Sequence, residues 1–398
     1  MIKKIDTFNI VNKKVLIRVD FNVPINNGHI LSDFRLNAVF STIEFCLKGN
    51  AKVILMSHLG RPKGKELKLS LAPVFDYLCS KFPNNKVFFS NDCISDESIN
   101  KSNSLNNGEI NLLENLRYYD EELSNSDSFA HMLSKHGDIY INEAFGTSHR
   151  MHASNSAILK YFPNNKGIGF LMNKELEYLS NIDLNNDGLA LLLGGAKVST
   201  KLGMIKYFLN RASYIIIGGA MSFTFLKALG YNVGKSLVEE NMIDEAKSIL
   251  NESKKTNTDI ILPRDIICSD EFSNDARSKS RKISEIKNEE LGLDIGIETI
   301  KEFEGVLQDS SVVIWNGPMG VFEMEPFKVG TNDLAYKISN LTKTGKIVSI
   351  VGGGDTASAV IDLGIESSFT HVSTGGGASL QLLSGLELQL FKSWRDYE

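Results

Sequence analysis

Short apolar runs alternate with longer stretches of helical periodicity along the whole chain. In the first half the runs are VLIRV (15–19), KVILM (52–56), KVFF (86–89), INLLE (110–114) and IYIN (139–142). In the second half they are LALLL (189–193), YIIIG (214–218), IILP (260–263), VVIW (312–315), IVSIV (347–351) and THVS (370–373). The runs are continuous, not alternating, as in strands buried on both faces of a parallel sheet. Strands alternating with helices predict two doubly wound α/β units with mainly parallel sheets. KGIGFLMNKELEYLS (166–180) begins as a strand and ends as a helix, and the polar, turn-rich NIDLNND (181–187) follows it. The expected layout is a domain over 1–165, a connector over 166–187, a second domain over 188–380 and a terminal segment over 381–398. The stretch 94–109, rich in Ser, Asn and acid, reads as a surface loop.

Composition narrows the function class. A chain of 398 residues is long for one core. Its net charge of −5, with scattered Lys and Arg, gives little support to a nucleic-acid or membrane surface. The N-terminus MIKKIDTFNI has no apolar core of the signal-peptide kind, and no run is long enough to span a bilayer. Cys46, Cys79, Cys93 and Cys268 form no CxxC pair and read as reduced, packing residues. The expectation is a cytoplasmic enzyme; a monomer is taken as the working assembly, which composition does not fix.

Ligands of open α/β sheets bind beyond the carboxyl ends of the strands. In the first half those ends lead into Asp20, Asn22 and Arg35, into His58 and Arg61, into Arg117, and into Gly146, His149 and Arg150. Guanidinium forks fit carboxylate or phosphate oxygens in two parallel bonds. Four Arg and a His at one sheet edge suit a small ligand with at least two anionic groups. Asp20 and Asn22 suit a hydroxyl between them. Arg18 lies inside a strand and reads as structural, and His29 and His152 read as ordinary surface or core residues.

The second half carries glycine-rich turns after strands: LLGGAKVSTK (192–201), VGGGDT (351–356) and STGGGAS (373–379). A strand–glycine–helix junction offers unpaired N–H groups and the positive end of a helix. Each turn is expected to open a helix, with Lys197 and Lys201 on one helical face reaching phosphates. WNGPMGVFE (315–323) offers Asn316, Pro318 and Glu323 for a base and ribose, and Asp355 suits Mg²⁺ on the phosphates. LGYNVGKS (229–236) departs from a P-loop at Leu229 and follows no strand. GGGDTA (352–357) fits a dinucleotide fingerprint but lacks the acid about twenty residues on.

Taken together, VDFNVP (19–24), SHLGRP (57–62), LLENLR (112–117), NEAFGTSHR (142–150), LLGGAKV (192–198), WNGPMGVFE (315–323), GGGDT (352–356) and STGGGAS (373–379) resemble the motifs of the phosphoglycerate kinase family, in the family's order and over essentially the whole chain. The resemblance implies two Rossmann-like domains joined by a hinge, the first binding phosphoglycerate and the second the nucleotide, with the C-terminal segment returning to the first. It implies reversible, Mg²⁺-dependent phosphoryl transfer between 1,3-bisphosphoglycerate with ADP and 3-phosphoglycerate with ATP, as in glycolysis, directly in line after domain closure. Carried over by motif, Asp20, Asn22, Arg35, His58, Arg61, Arg117 and Arg150 would bind the acid. Gly195, Lys197, Lys201, Gly219, Asn316, Pro318, Glu323, Gly352, Gly353, Gly354, Asp355 and Thr356 would bind the nucleotide, with Asp355 toward the metal. Arg35, Lys197, Gly353 and Gly376 would serve the transfer itself. Met151, Ala220-Met221-Ser222 and Ile297 depart from the family pattern beside these positions.

A carboxylate acceptor is ionised at neutral pH and needs no general base. Catalysis can then rest on positioning and on cations at the transferring group. The competing classes are a dehydrogenase, which needs the missing acid after GGGDTA, and a non-catalytic nucleotide binder, which would not require Arg35, Lys197 and Asp355 together.

Overall fold

The computed structural model describes residues 2–180 and 188–397; the expected boundary segment 181–187 lies outside the described residues. The chain divides into two compact units, one formed by Met1–Glu177 with Glu387–Glu398 and the other by Tyr178–Leu386.

In the first unit six parallel strands lie in the order Val87–Ser90, Ile110–Leu113, Lys52–Met56, Lys14–Val19, Ile139–Glu143, Lys166–Ile168. The order places the first strand at the centre, flanked by strands that come later in the chain. The continuous apolar runs are explained by burial on both faces: in Lys14–Val19 every residue after Lys14 is buried, and Ile139–Glu143 is buried throughout. The C-terminal helix Gln389–Asp396 belongs to this unit. Its Leu390 N–H donates to the Ser148 carbonyl at 2.9 Å, and Trp394 is buried.

The second unit has its own parallel six-stranded sheet, in the order Asp259–Ile261, Tyr214–Ile217, Leu189–Leu193, Val312–Asn316, Val348–Gly352, His371–Val372. All the apolar runs named above become strands, within a residue or so at each end. Two features differ from the sequence expectation. A three-stranded antiparallel sheet, with Asp265–Ser269 between Lys279–Lys282 and Leu291–Ile295, joins the second unit. The exposed, charged Lys279–Lys282 carries no apolar run to announce it. The expected loop 94–109 contains the helix Asp96–Asn103: Ser95 caps it by accepting from Ser98 N–H, Asp96 and Glu97 fill its first turn, and Ile99 buries its inner face.

Glu143 links the first sheet to the helix Phe170–Ser180. Its buried carboxylate accepts from the Leu171 and Met172 N–H groups at 3.1 and 2.8 Å and from the Thr42 hydroxyl. A side chain at Gly169 would collide with this carboxylate. Burial outweighs these donors and pushes the carboxyl up to about 7, from 4.5. The folded state therefore holds this proton more tightly than the unfolded chain. The resulting stability is full below about pH 4.5 and is lost as pH rises through about 7. Glu143→Gln keeps an accepting oxygen and removes the titration. Between about pH 5 and about pH 8 its melting temperature should fall less than that of the wild type. Parallel curves in calorimetry would remove Glu143 from the pH dependence.

Candidate active site

In the first unit the loops after the central strands are tied into one cup. Asn115, fully buried, accepts from the Leu59 and Arg117 N–H groups and donates to the Leu59 and Leu69 carbonyls at 2.8–3.1 Å. Gly60, in the left-handed region at φ 64°, donates its N–H to Asn22 Oδ1 at 2.8 Å and accepts from Arg117 Nη1 at 2.6 Å. Arg35 Nη1 donates to the Asn22 carbonyl at 3.0 Å and lies 3.6 Å from Asp20. Asn22 thus spends its amide oxygen on Gly60.

Beneath the cup, Arg18 is fully buried. It donates to Ser154 Oγ at 2.8 Å, to the Val19 carbonyl, and through Nη2 to His58 Nδ1 at 3.2 Å, and it lies 3.9 Å from the buried Glu122. This is a structural role, as expected of a strand-interior Arg. An arginine only donates, so His58 Nδ1 accepts and the ring proton sits on Nε2. Burial, then the charges of Arg18, Arg117 and Arg150, hold His58 neutral. His152 is 3.7 Å from Glu122, yet the same forces hold it neutral, with its pKa down to about 3. His152 is not an isolated core histidine: it packs under the arginine cluster.

The cup has more cationic donors than the protein satisfies. Arg117 is 5% exposed, and burial followed by Arg18 and Arg150 lowers its pKa to about 10. Its Nε and Nη2, together with His149 Nδ1, are buried without hydrogen-bond partners. Burial and Arg61 also lower Arg150, whose Nε donates to His149 Nε2 at 3.1 Å. Arg61 is exposed at the rim. Asp20, Asn22, Arg35, His58, Arg117 and Arg150 converge, and Met151, 51% exposed, stays out of the packing.

In the second unit three loops meet backbone to backbone. Gly194 and Gly195 donate to the Asn316 and Pro318 carbonyls at 3.0 and 2.8 Å, and Gly219 donates to the Met319 carbonyl at 3.1 Å. Gly219 has φ 62°, and a Cβ there would lie 2.5 Å from the Gly195 nitrogen, so no other residue fits. These loops floor a cavity of about 430 Å³, within the usual range for small-molecule sites. Gly195, Gly219, Pro318, Glu323 and Asp355 line it, as does Ala220. Met221 and Ser222 are buried behind Ala220, and Ile297 is exposed at the first position of the helix Ile297–Gln308.

Two sequence expectations change. The turn at Gly194-Gly195 does not open a helix directly: the helix runs Leu202–Phe208, with Lys201 at its N-cap and Lys197 in the preceding loop. Lys197 and Lys201 therefore do not share a helical face. The loop is held from outside itself: Glu239 takes the Ser199 N–H and hydroxyl at 3.0 and 2.6 Å. Lys197 is exposed, whereas burial lowers Lys201 to about 8 against the raising influence of Asp355. Thr356 is fully buried, and its hydroxyl accepts from Gly317 N–H at 2.6 Å, so it holds a loop and does not face the cavity. The other two turns do open helices, Gly354–Asp362 and Gly377–Leu383, with Gly353 and Gly376 at positive φ. Gly352 ends its strand beside Gly353. There Asn316 is fully buried with both amide atoms unpartnered, 3.1 Å from where a Gly353 Cβ would stand.

The sequence reading missed Lys235, Ser236, Leu237, Phe272, Leu293 and Asp294, which also line the cavity. Lys235 and Ser236 belong to the false P-loop match, and the rest carry no strand-end signal. Asp294 accepts from the Ile295 and Gly330 N–H groups at 2.9 and 2.7 Å, while burial raises it to about 7. Among the described residues no three His, Cys, Asp or Glu gather into a metal cage. Asp355, a single exposed carboxylate at a cavity wall, suits an ion that draws its other ligands from phosphate and water.

Two doubly wound α/β units, one with an anion cup and the other with a glycine-floored cavity of nucleoside size, define a two-unit phosphotransferase. The chain belongs to the phosphoglycerate kinase family, whose model, described as Phosphoglycerate kinase, matches residues 5–386. It is 44% identical over 390 residues to the "Phosphoglycerate kinase" of Prochlorococcus marinus (strain MIT 9515), covering 97% of this chain and 96% of that one. Among solved structures it is similar to phosphoglycerate kinase from Coxiella burnetii, with TM-score 0.85, 34% identity, and coverage of 100% of this chain and 99% of that one. It is likewise similar to the enzyme from Pyrococcus horikoshii OT3, with TM-score 0.88, 29% identity, and coverage of 99% and 98%.

The buried amides of the second unit make separable predictions. Thr356→Val leaves the Gly317 N–H without its acceptor and should cost about 1–3 kcal/mol of stability. Asn316→Ala removes two orphaned polar atoms, so its melting temperature should stay near that of the wild type while nucleotide binding weakens about tenfold. Calorimetry and titration on the two variants check this; the reverse order of stabilities would contradict it.

Proposed function

We propose that the chain transfers a phosphoryl group reversibly between 3-phosphoglycerate with ATP and 1,3-bisphosphoglycerate with ADP, as a cytoplasmic monomer without nucleic-acid or membrane partners. The observation that carries the reading is the pairing of unlike sites. The first unit holds a cup of surplus guanidinium donors, and the second a cavity floored by backbone amides. No described helix is long and apolar enough to cross a membrane.

Arg61, Arg117 and Arg150 would bind the phosphate and carboxylate of the acid, with His58 donating through Nε2. Asp20 and Asn22 would meet its hydroxyl. Gly195, Gly219, Pro318 and Glu323 would hold the nucleoside, while Lys201, Asn316 and the Gly352–Gly354 turn would take the phosphates. Bound Mg²⁺, held by Asp355 and the phosphate oxygens, would neutralise charge on the polyphosphate. The acceptor carboxylate is already ionised, so no side chain has to remove a proton. Arg35 from the first unit and Lys197 from the second would stabilise charge on the transferring group, beside the amides at Gly353 and Gly376. Such transfer requires both ligands to meet at one phosphoryl group, with water excluded.

Lys197→Ala should lower kcat by at least about 10²-fold, the scale for one preorganised transition-state donor, with the KM for 3-phosphoglycerate unchanged. A kcat within a few-fold of wild type would remove Lys197 from the transfer step. Arg61→Ala should raise the KM for 3-phosphoglycerate roughly tenfold or more, the scale of one charge-assisted bond, and leave that for ATP unaffected. Loss of ATP binding instead would reverse the assignment of the two sites.

A further inference from the structure

The loop that carries Lys197 runs from Gly195 to Lys201 without helical backbone, and the bonds within it are short-range. Thr200 Oγ donates to the Lys197 carbonyl at 2.9 Å, and Lys201 N–H donates to the Val198 carbonyl at 2.9 Å. Gly195 at its start is tied to the Pro318 carbonyl and the Met221 N–H, and beyond Gly195 the long-range anchor is a carboxylate. Glu239 accepts from the Ser199 N–H at 3.0 Å and the Ser199 hydroxyl at 2.6 Å, and the Val198 N–H also points to it. These donors precede the helix Leu202–Phe208 and would otherwise be free to meet water or a phosphate.

Glu239 is itself fixed. Its N–H donates to Thr224 Oγ at 3.1 Å, and Thr224 is buried in the helix Met221–Ala228. The residues just before it, Lys235, Ser236 and Leu237, line the nucleoside-sized cavity. Ser236 Oγ accepts from the Gly292 N–H at 2.8 Å on the opposite wall. One short strap therefore touches the cavity at one end and grips the lysine loop at the other.

We infer that Glu239 is a positioning residue for phosphoryl transfer: it holds the Val198–Ser199 backbone so that Lys197 is preset over the phosphates. The inference rests on the reading of Lys197 as a transfer residue. Lys197 is exposed and its stem is long, so without an anchored backbone its ammonium would sample many positions. Preorganisation of a donor raises kcat and leaves ground-state binding of the acid untouched.

The test is a double-mutant cycle on the full chain. Glu239→Ala should lower kcat about tenfold or more, with the KM for 3-phosphoglycerate unchanged. Glu239→Gln, which keeps an accepting oxygen, should recover most of that loss. In a Lys197→Ala background, adding Glu239→Ala should change kcat by less than about twofold, since the positioned group is gone. Glu240→Ala, which removes an exposed partner of Lys227, serves as the control and should leave the rate unchanged. Amide hydrogen exchange supplies a readout independent of Lys197: Val198 and Ser199 should exchange faster in Glu239→Ala and not in Lys197→Ala. Additive losses in the cycle, or unchanged exchange at 198–199, would overturn the positioning role. Faster exchange together with a Lys197→Ala enzyme of full activity would preserve the anchor but sink the reading of Lys197.

Discussion

The first unit gathers like charge where little water reaches it, and the rest of its site depends on how that repulsion is offset. Burial, and then the charges of Arg18 and Arg150, lower the pKa of Arg117 to about 10. Asp20 and Glu122 oppose them from within the protein. The histidines between them, His58, His149 and His152, are all held toward the neutral form, so they add donors without adding charge. Leaving Arg117 Nε and Nη2 buried without partners is costly in the empty protein. An anion placed in the cup would remove that cost, and under the proposed function the penalty would become affinity for a doubly anionic acid. Under the proposed function the orphaned amide of Asn316 would play the corresponding part in the second unit, on a neutral and therefore smaller scale.

The parallel sheet makes both arrangements possible. All six strands of each sheet point the same way, so every strand ends at one edge and delivers its following loop there. In the first unit the loops carry long cationic side chains, held by the Asn115 and Gly60 bonds. In the second they carry glycines, and the backbone itself becomes the binding surface because three loops approach within hydrogen-bonding distance. The two surfaces differ in what they tolerate. The cup depends on charge and would bind several small anions, whereas the glycine floor depends on shape and admits no side chain at Gly219.

Much of this was legible in the sequence because burial on both faces leaves a continuous apolar run, and every such run became a strand. Residues immediately beyond those runs, such as Asp20, His58 and Arg117, were legible for the same reason: position after a strand fixes their place at the edge. The antiparallel sheet was not legible: Lys279–Lys282 is exposed and polar, and the buried Asp265–Ser269 and Leu291–Ile295 carry apolar stretches broken by Asp, Ser or Gly. Nor was the course of the Lys197 loop, because its departure from helix is set by Glu239, some forty residues along the chain. Thr356 reads like a phosphate ligand after GGGD, but only the fold shows that its hydroxyl accepts from the Gly317 N–H and so holds a loop. Lys235 and Ser236 of the cavity wall were obscured by an imperfect P-loop match, although in the fold they belong to a strap and not to a strand–loop–helix junction.

The central claim is that the acceptor is a carboxylate, which the cup orients and which needs no base. An acyl phosphate is the necessary product of transfer from ATP to such an acceptor. Incubation with 3-phosphoglycerate, ATP and Mg²⁺ in the presence of hydroxylamine should trap that product as a hydroxamate, in amounts equal to the ADP formed. ADP released without hydroxamate, or phosphate found on a hydroxyl group of the acid, would contradict the account.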